Sequence, residues 1–159
     1  MTPPGTIVVD TDPERLDLAV VHGFLTTSYW ARGIPLAVVR ESVRHSLCFG
    51  LYDGEQQVGF ARVISDRATF AYLADVFVLE SHRGRGLGRL LMTAVIDHPE
   101  LQGLRRWMLA TRDAHALYVQ YGFTPLRAPE SFMQLHDPDV YAEPTDAGRR
   151  REAGEGEAL

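Results

Sequence analysis

An apolar segment that runs into a glycine-rich loop and then into a helical pattern dominates this sequence. Residues 76–79 read Val-Phe-Val-Leu, which predicts a strand. The loop that follows contains Gly84, Gly86 and Gly88, and apolar residues recur at helical spacing from Leu87 onward. A helix N-terminus offers unpaired backbone N–H groups to an anion, and glycine lets a phosphate approach the backbone closely. The segment therefore predicts a binding site for a phosphorylated ligand.

Two common nucleotide-binding fingerprints do not fit this loop. A Walker A loop ends in Gly-Lys-Ser/Thr, and the sequence contains no lysine. A dinucleotide fingerprint requires a third glycine or alanine at the position of Arg89. The loop instead places three arginines, Arg83, Arg85 and Arg89, among its glycines, which adds positive charge where the anion would lie.

Two sequence blocks together resemble the GNAT superfamily of N-acetyltransferases. The spacing Arg83-x-x-Gly86-x-Gly88, preceded by residues 75–78, is similar to the acetyl-CoA pyrophosphate loop of that family. Residues 109–123 resemble a second family block, Asn-x-x-Ala-x-x-Leu-Tyr-x-x-x-Gly-Phe, with Thr111 in place of the asparagine. The resemblance implies an α/β (α+β) fold in which a mixed, splayed β-sheet is flanked by about four helices.

The hydrophobic patterns predict secondary structure in the order β-α-α-β-β-β-α-β-α-β. Strands are expected at residues 6–9, 47–52, 57–65, 69–79, 106–110 and 132–135. Helices are expected to begin at residues 11–12 before Pro13 and at Pro35, and to span residues 86–97 and 114–121.

The resemblance implies how the donor is bound. The main chain of Val76, Phe77 and Val78 would pair with the pantetheine arm as an added strand, and a backbone N–H there would face the thioester oxygen. The side chains of these three residues are expected to belong to the core. The pyrophosphate would contact Arg83, Gly84, Arg85, Gly86, Leu87, Gly88 and Arg89.

Tyr118 and Asp75 are the candidate catalytic residues. Tyr118 occupies the family position whose phenol would protonate the departing thiolate, although it could instead pack beside the cofactor. Asp75 lies in a block, residues 72–78, that resembles diamine acetyltransferases with Ala74 in place of a glutamate. It would pair with the acceptor ammonium or deprotonate it through a water, or else tie down a neighbouring loop.

The candidate acceptor site involves Tyr29, Trp30 and Arg32, with Tyr72 as a weaker member. Two adjacent large aromatic residues in a loop would form a wall for a cationic or ring-bearing acceptor, and Arg32 would bind a carboxylate. The alternative is a hydrophobic plug between helix and sheet. The single cysteine, Cys48, lies in an apolar segment and is expected to be a buried, reduced core residue.

Global properties narrow the class of protein. The chain of 159 residues is expected to form one domain over residues 1–135, followed by a polar, disordered tail over residues 136–159. A net charge of −5 argues against nucleic-acid binding, and the scattered histidines argue against a metal site.

Neither a membrane span nor a signal peptide is recognisable, so a cytoplasmic protein is expected. Homodimers are common in the family, so a homodimer is one expected assembly.

The sequence thus predicts an N-acetyltransferase that moves the acetyl group of acetyl-CoA to a primary amine of a small molecule by direct attack in a ternary complex. Two alternatives stay open. One is acetylation of a protein or peptide, and the other is a non-catalytic module that senses acyl-CoA.

Overall fold

Four antiparallel strands and one parallel strand form a single sheet in the computed structural model, which describes residues 1–142. The strands lie side by side in chain order, and only the last pair, β4 and β5, is parallel. The strands are β1 (Ile7–Asp10), β2 (Leu47–Asp53), β3 (Gln56–Ser65), β4 (Phe70–Val78) and β5 (Arg106–Leu109). The helices are α1 (Leu18–Leu25), α2 (Leu36–Arg44), α3 (Leu87–Ile96) and α4 (His115–Val119), with single 3₁₀ turns at Pro13–Arg15, Glu80–His82, Pro99–Leu101 and Pro129–Ser131. This arrangement confirms the predicted fold class.

Two apolar clusters cover the two faces of the sheet. The larger cluster joins buried strand residues such as Leu51 and Val63 to the inner face of α3, where Leu91 and Val95 are fully buried. The smaller cluster joins α1 and α2 to the other face through contacts among Val21, Leu25, Val39, Phe60 and Phe77. Because alternate strand residues point to opposite faces and both faces are covered, most residues of β2 and β3 are buried. Cys48 is buried and free, as predicted.

A β-bulge interrupts β4 at Asp75. Phe60 pairs with Phe77 and Arg62 pairs with Ala74, so Asp75 and Val76 together oppose a single residue of β3. Asp75 has a φ of 56°, in the left-handed region that only a few non-glycine residues adopt. A residue held in that region usually has a structural or functional reason, and the side-chain contacts of Asp75 supply one below.

The sheet splays open next to this bulge. The pairing between β4 and β5 ends at the pair formed by Leu73 and Leu109. Residues 74–78 therefore present a backbone edge that no strand covers within residues 1–142. A ligand with amide groups can add to such an edge by main-chain hydrogen bonds.

Two predicted elements differ from the structure. The helix expected from residue 11 or 12 is broken, because Pro13–Arg15 form a 3₁₀ turn and α1 begins only after Asp17, whose carboxylate accepts from Ala19 N at 3.0 Å and Val20 N at 3.3 Å. The prediction of a strand at residues 132–135 is wrong for the single chain, since no neighbouring strand pairs with this segment within residues 1–142.

Part of the predicted tail is described by the structure. Tyr141 packs against the cluster between α1, α2 and the sheet, and its carbonyl oxygen lies close to Gly33. The remainder of that predicted tail, residues 143–159, lies outside the described residues. Within residues 1–142, none of the helices has the length and apolar character needed to cross a bilayer.

Candidate functional site

The glycine-rich loop forms an open cradle at the N-terminus of α3. Gly84 and Gly86 have φ values of +74° and +75°, which glycine adopts without strain, and a Cβ added at either would meet nothing within 4 Å. Gly86 is the N-cap of α3, and the first helical hydrogen bond runs from Leu90 N to Gly86 O. The backbone N–H groups at the start of α3 therefore have no intrahelical partner, and the space over them is free. The cradle fits a phosphate.

Two side chains of the adjoining turn fix the loop to the sheet. Arg83 Nε donates to Val78 O at 3.1 Å, which places its guanidinium between the end of β4 and the cradle. His82 Nε2 lies 3.1 Å from Asp53 Oδ2 at the end of β2. The Gly5 N–H, the His82 ring and nearby positive charge hold the pKa of Asp53 below its ordinary value, so this carboxylate stays ionised.

A cleft of about 520 Å³ lies beside the uncovered edge of β4. The edge contributes Val76, Phe77 and Val78, and Arg83 lies where the cleft meets the cradle. The opposite wall is formed by the end of α1 and the loop after it, and Asp113 adds a carboxylate from the segment after β5. The wall residues are Phe24, Thr27, Ser28, Tyr29 and Trp30. The cleft thus continues the cradle along the strand.

Tyr29 and Trp30, here called the aromatic bridge, span the gap between the splayed strands. Trp30 Nε1 donates to Asp75 Oδ1 at 2.9 Å, on the β4 side. The Tyr29 hydroxyl accepts from Arg112 N at 3.1 Å on the β5 side, and the Arg112 guanidinium lies 3.9 Å from the Tyr29 ring centroid. Tyr29 and Trp30 remain 45% and 42% exposed and line the cleft. This exposure contradicts the alternative that they form a hydrophobic plug.

Asp75 is held by two partners. Its Oδ2 accepts from Arg62 Nε at 2.8 Å while Oδ1 accepts from Trp30, and its side chain is only 9% exposed. Arg62 is fixed in turn by a 3.1 Å hydrogen bond to Ser46 Oγ. With both carboxylate oxygens engaged, the geometry favours the alternative in which Asp75 ties down the neighbouring loop. Its role as a base stays a prediction.

Tyr118 is buried on α4, with its ring 6.0 Å from that of Phe123. Burial, which disfavours the phenolate, raises the pKa of Tyr118 to about 12, together with smaller contributions from the neighbouring Tyr29 and Asp113. The phenol therefore carries its proton at neutral pH. Tyr29 and Asp113 both line the cleft, so Tyr118 lies near it, but Tyr118 is buried and is not itself a lining residue.

Two predicted acceptor residues are not brought to the cleft. Arg32 is exposed beyond the aromatic bridge, and Tyr72 lies on β4 opposite Ile64 and Met108, on the paired part of the strand. Neither residue is among those that line the cleft. No group of three or more metal-ligating side chains occurs in the described part of the chain.

Sequence reasoning missed three residues of the site. Arg62, Arg112 and Asp113 contribute the charges around the aromatic bridge and Tyr118. Arg62 carried a usable signal, because a charged residue within an apolar strand requires a buried partner. Arg112 and Asp113 occupy variable positions of the second family block, and nothing in the sequence indicated their contacts.

Comparison with known proteins assigns the class of this fold and site. A model of the Acetyltransferase (GNAT) family matches residues 15–123. The chain belongs to this family of acetyltransferases, which confirms the resemblance seen in the sequence.

Particular relatives agree with this assignment. A crystal structure from Xanthomonas campestris pv. campestris, described as a "putative acetyltransferase belonging to the GNAT family", is 53% identical with a TM-score of 0.85, over 90% of this chain and 100% of that one. A "putative acetyltransferase" of Gibberella zeae is 34% identical over 72% of this chain and 76% of its own length. A predicted acetyltransferase from Clostridium acetobutylicum, solved with acetyl-CoA, shares the fold with a TM-score of 0.60 at 12% identity, over 82% of this chain and 96% of that one.

Proposed function

We propose that this acetyltransferase uses acetyl-CoA as donor and transfers the acetyl group to a primary amine of a small molecule. The observation that carries the proposal is the continuity of three features: the open cradle at α3, the uncovered edge of β4 and the cleft that runs beside that edge between Arg83 and the aromatic bridge. A ligand with an anionic end and an extended amide-bearing arm matches the first two features, and a reactive group at its other end would lie in the third.

The continuous surface from the cradle along the edge of β4 to the cleft indicates which residues would hold the donor. The backbone N–H groups from Gly86 to Arg89 would bind the pyrophosphate, with Arg83 and Arg85 adding charge. The main chain of residues 76–78 would hydrogen-bond the pantetheine arm, and its side chains would contribute only packing. Leu87 is buried and secures the first turn of α3 to the core.

The transfer requires a proton at the departing sulfur. The acceptor ammonium first loses a proton to water, and the neutral amine nitrogen then attacks the thioester carbonyl carbon. The carbon–sulfur bond breaks, and the attacking nitrogen loses one further proton while the thiolate gains one. Tyr118 would donate its phenolic proton to that sulfur, and its pKa of about 12 keeps the phenol protonated at neutral pH, so the proton is present when the carbon–sulfur bond breaks. Its phenolate would then recover a proton from the acceptor side or from water.

One carboxylate of the cleft, that of Asp113, is placed to bind a cationic acceptor, while Arg83 lies at the end next to the cradle. Asp113 is exposed at the cleft and forms no salt bridge within residues 1–142, whereas Asp75 is neutralised by Arg62. The aromatic bridge supplies ring faces and edges next to this carboxylate. We therefore assign Asp113, rather than Asp75, as the group that would pair with the acceptor ammonium, and Asp75 as the residue that positions Trp30.

The decisive experiment measures thiol release from acetyl-CoA with pools of polyamines, amino acids, aminoglycosides, arylalkylamines and short peptides. Amine-dependent release with a small-molecule pool is expected, and it should fall in the Tyr118→Phe variant. Release with peptides alone would reassign the acceptor class. If no pool releases thiol while acetyl-CoA still raises the thermal unfolding midpoint, the proposed transferase activity is contradicted. A non-catalytic module that senses acyl-CoA would then be supported.

A further inference from the structure

Four aromatic side chains form a continuous row that runs from the core of the protein to the cleft. The Phe24 ring stacks on the Phe77 ring, with centroids 4.0 Å apart and planes 9° from parallel. Trp30 follows at 6.1 Å from Phe24, and the Tyr29 ring meets the Trp30 ring edge to face at 5.0 Å. Phe77 is buried, whereas Tyr29 and Trp30 are nearly half exposed, so the row ends in an accessible aromatic surface. These four residues are called the aromatic row below.

The exposed end of the aromatic row is fixed by the protein itself. The indole N–H of Trp30 donates to Asp75, so the part of this side chain that a ligand can reach is ring carbon. The Arg112 guanidinium lies 3.9 Å from the centroid of the Tyr29 ring and covers one of its faces. Because both rings are already held in place, a ligand that packs against them does not have to order them. Such a surface favours a flat apolar group, and an aromatic ring gains most, since ring pairs contribute beyond the area that they bury.

The charges of the cleft suit a molecule with a single positive charge. Among the described residues that line it, Asp113 is the one carboxylate and Arg83 the one guanidinium. A polyamine would bring at least one further ammonium, for which these lining residues offer no second carboxylate. An amino acid would bring a carboxylate into the cleft with Asp113, while Arg83 lies at the end next to the cradle, where the donor phosphates would bind. Both of these classes of amine are therefore disfavoured relative to a monoamine without a carboxylate.

The carboxylate and the aromatic surface lie close together. Arg112 N donates to the Tyr29 hydroxyl at 3.1 Å, and Asp113 is the next residue along the chain. Because consecutive Cα atoms are about 3.8 Å apart, the Asp113 side chain begins within a few ångströms of that contact. Tyr29 and Asp113 also both raise the pKa of Tyr118, so both lie near the proposed proton donor. An ammonium at Asp113 and a ring against the aromatic row thus need only a short linker between them.

We propose that the acceptor is an arylalkylamine, a primary amine joined by a short alkyl chain to one aromatic ring. Its ring packs against Tyr29 and Trp30, and its ammonium pairs with Asp113 in the initial complex. The inference rests on the proposed function and names its substrate class. The ammonium releases one proton to water, the neutral nitrogen bonds to the thioester carbonyl carbon, and the carbon–sulfur bond breaks. The nitrogen then loses a second proton while the sulfur gains one, which leaves an uncharged amide and the thiol of CoA. The amide no longer pairs with Asp113, which favours its release.

Steady-state thiol release from acetyl-CoA with three amines tests the substrate class. Phenethylamine and cyclohexylethylamine have the same charge and linker and differ only in the ring, and spermidine has several ammonium groups and no ring. We expect kcat/KM for phenethylamine to exceed that for its saturated analogue about fivefold, and to exceed that for spermidine, because only the aromatic ring gains from ring contacts. Equal use of the two ring amines, or a preference for spermidine, would overturn the inference and leave acetyl transfer to a small amine intact. Release with none of the amines would contradict the proposed function, and the inference with it.

Variants at Tyr29 test whether the aromatic row carries this preference. Tyr29→Leu keeps an apolar side chain and removes the ring, so the fivefold preference for phenethylamine over cyclohexylethylamine should fall below about twofold, with acetyl-CoA affinity unchanged. Tyr29→Phe keeps the ring and should retain the preference. Tyr72→Leu is the matched control, because Tyr72 lies on the paired part of β4 and does not line the cleft. A preference that survives Tyr29→Leu unchanged, or that Tyr72→Leu abolishes, would contradict the role of the aromatic row.

Discussion

The donor side and the acceptor side of the cleft are built in different ways. The proposed donor side, residues 76–89, is one continuous segment whose candidate ligand groups are backbone atoms of a strand edge, a loop and a helix start. The acceptor side is assembled from side chains that are distant in sequence: Trp30 reaches Asp75 across 45 residues, and Tyr29 reaches Arg112 across 83. A backbone site tolerates little variation in its local sequence, whereas a side-chain site can change its specificity one residue at a time.

The largest effect is expected from Gly86→Glu on the donor side. A glutamate there would place a carboxylate in the cradle and strain the backbone, since Gly86 has a φ of +75°. We expect acetyl-CoA affinity to fall by at least about a hundredfold, because negative charge at this helix start replaces the phosphate and repels it. Isothermal titration with acetyl-CoA measures the loss.

Gly103→Glu is the matched control for this substitution. Gly103 also has a positive φ, +72°, and open space around it, but it lies outside the cradle. Both variants should lose a similar amount of thermal stability from backbone strain, and only Gly86→Glu should lose the ligand. Tight binding of acetyl-CoA by Gly86→Glu would refute the assignment of the cradle.

The second-largest effect is expected from Tyr118→Phe, which removes the proposed proton donor. The ring that packs on Phe123 is kept and the proton donor is removed, so we expect kcat to fall at least about tenfold with acetyl-CoA affinity unchanged. Because the pKa of Tyr118 is raised to about 12, the active protonated form persists as the pH rises towards that value. Between pH 6 and 10, kcat of the parent should therefore not fall with rising pH through ionisation of Tyr118. The pH profiles of the parent and of Tyr118→Phe should have the same shape.

Tyr52→Phe serves as the comparison for Tyr118→Phe. Tyr52 is also a buried phenol, and its hydroxyl has no hydrogen-bond partner within residues 1–142, but it lies against Arg15 on the opposite part of the sheet. The kcat of the Tyr52→Phe variant should match that of the parent. An equal fall in both variants would point to a general loss of structure, and no fall in Tyr118→Phe would remove this phenol from the mechanism.

The contrast between the two sides explains what the sequence could predict. The glycine loop, α3 and the short helix α4 that carries Tyr118 depend on local patterns, and the structure places these elements as expected, whereas their ligand and catalytic roles stay predictions. The break before α1 was missed because the Asp17 cap competes with the Pro13 start, and both are good helix-initiating residues. The contacts of Arg62, Asp75 and Trp30 depend on a bulge that only the register of β3 and β4 defines. No local pattern encodes that register.

A smaller effect is expected from Asp113→Asn on the acceptor side. The substitution removes the exposed charge and keeps the shape, so we expect KM for a cationic amine to rise about fivefold, with KM for acetyl-CoA unchanged. Asp97→Asn, at the exposed C-terminal end of α3, is the charge-matched control and should leave both values unchanged. The rise should shrink as salt is added, because an exposed ion pair is screened. A salt-independent loss of kcat would assign Asp113 a different role.

The smallest effect is expected from Trp30→Phe, which separates a positioning role of Asp75 from a catalytic one. The variant keeps an aromatic ring in the bridge and deletes only the N–H that donates to Asp75, while the ion pair with Arg62 at 2.8 Å remains. If Asp75 positions the bridge, KM for the amine should rise about threefold and kcat should stay within about twofold, since one neutral-donor hydrogen bond is lost.

Trp107→Phe, the same replacement at the other tryptophan, should leave KM unchanged. If Asp75 is instead the base, releasing it from Trp30 should alter the pH dependence of kcat in Trp30→Phe and leave that of Trp107→Phe as in the parent. That outcome would show that Asp75 acts in proton transfer and does not only position Trp30.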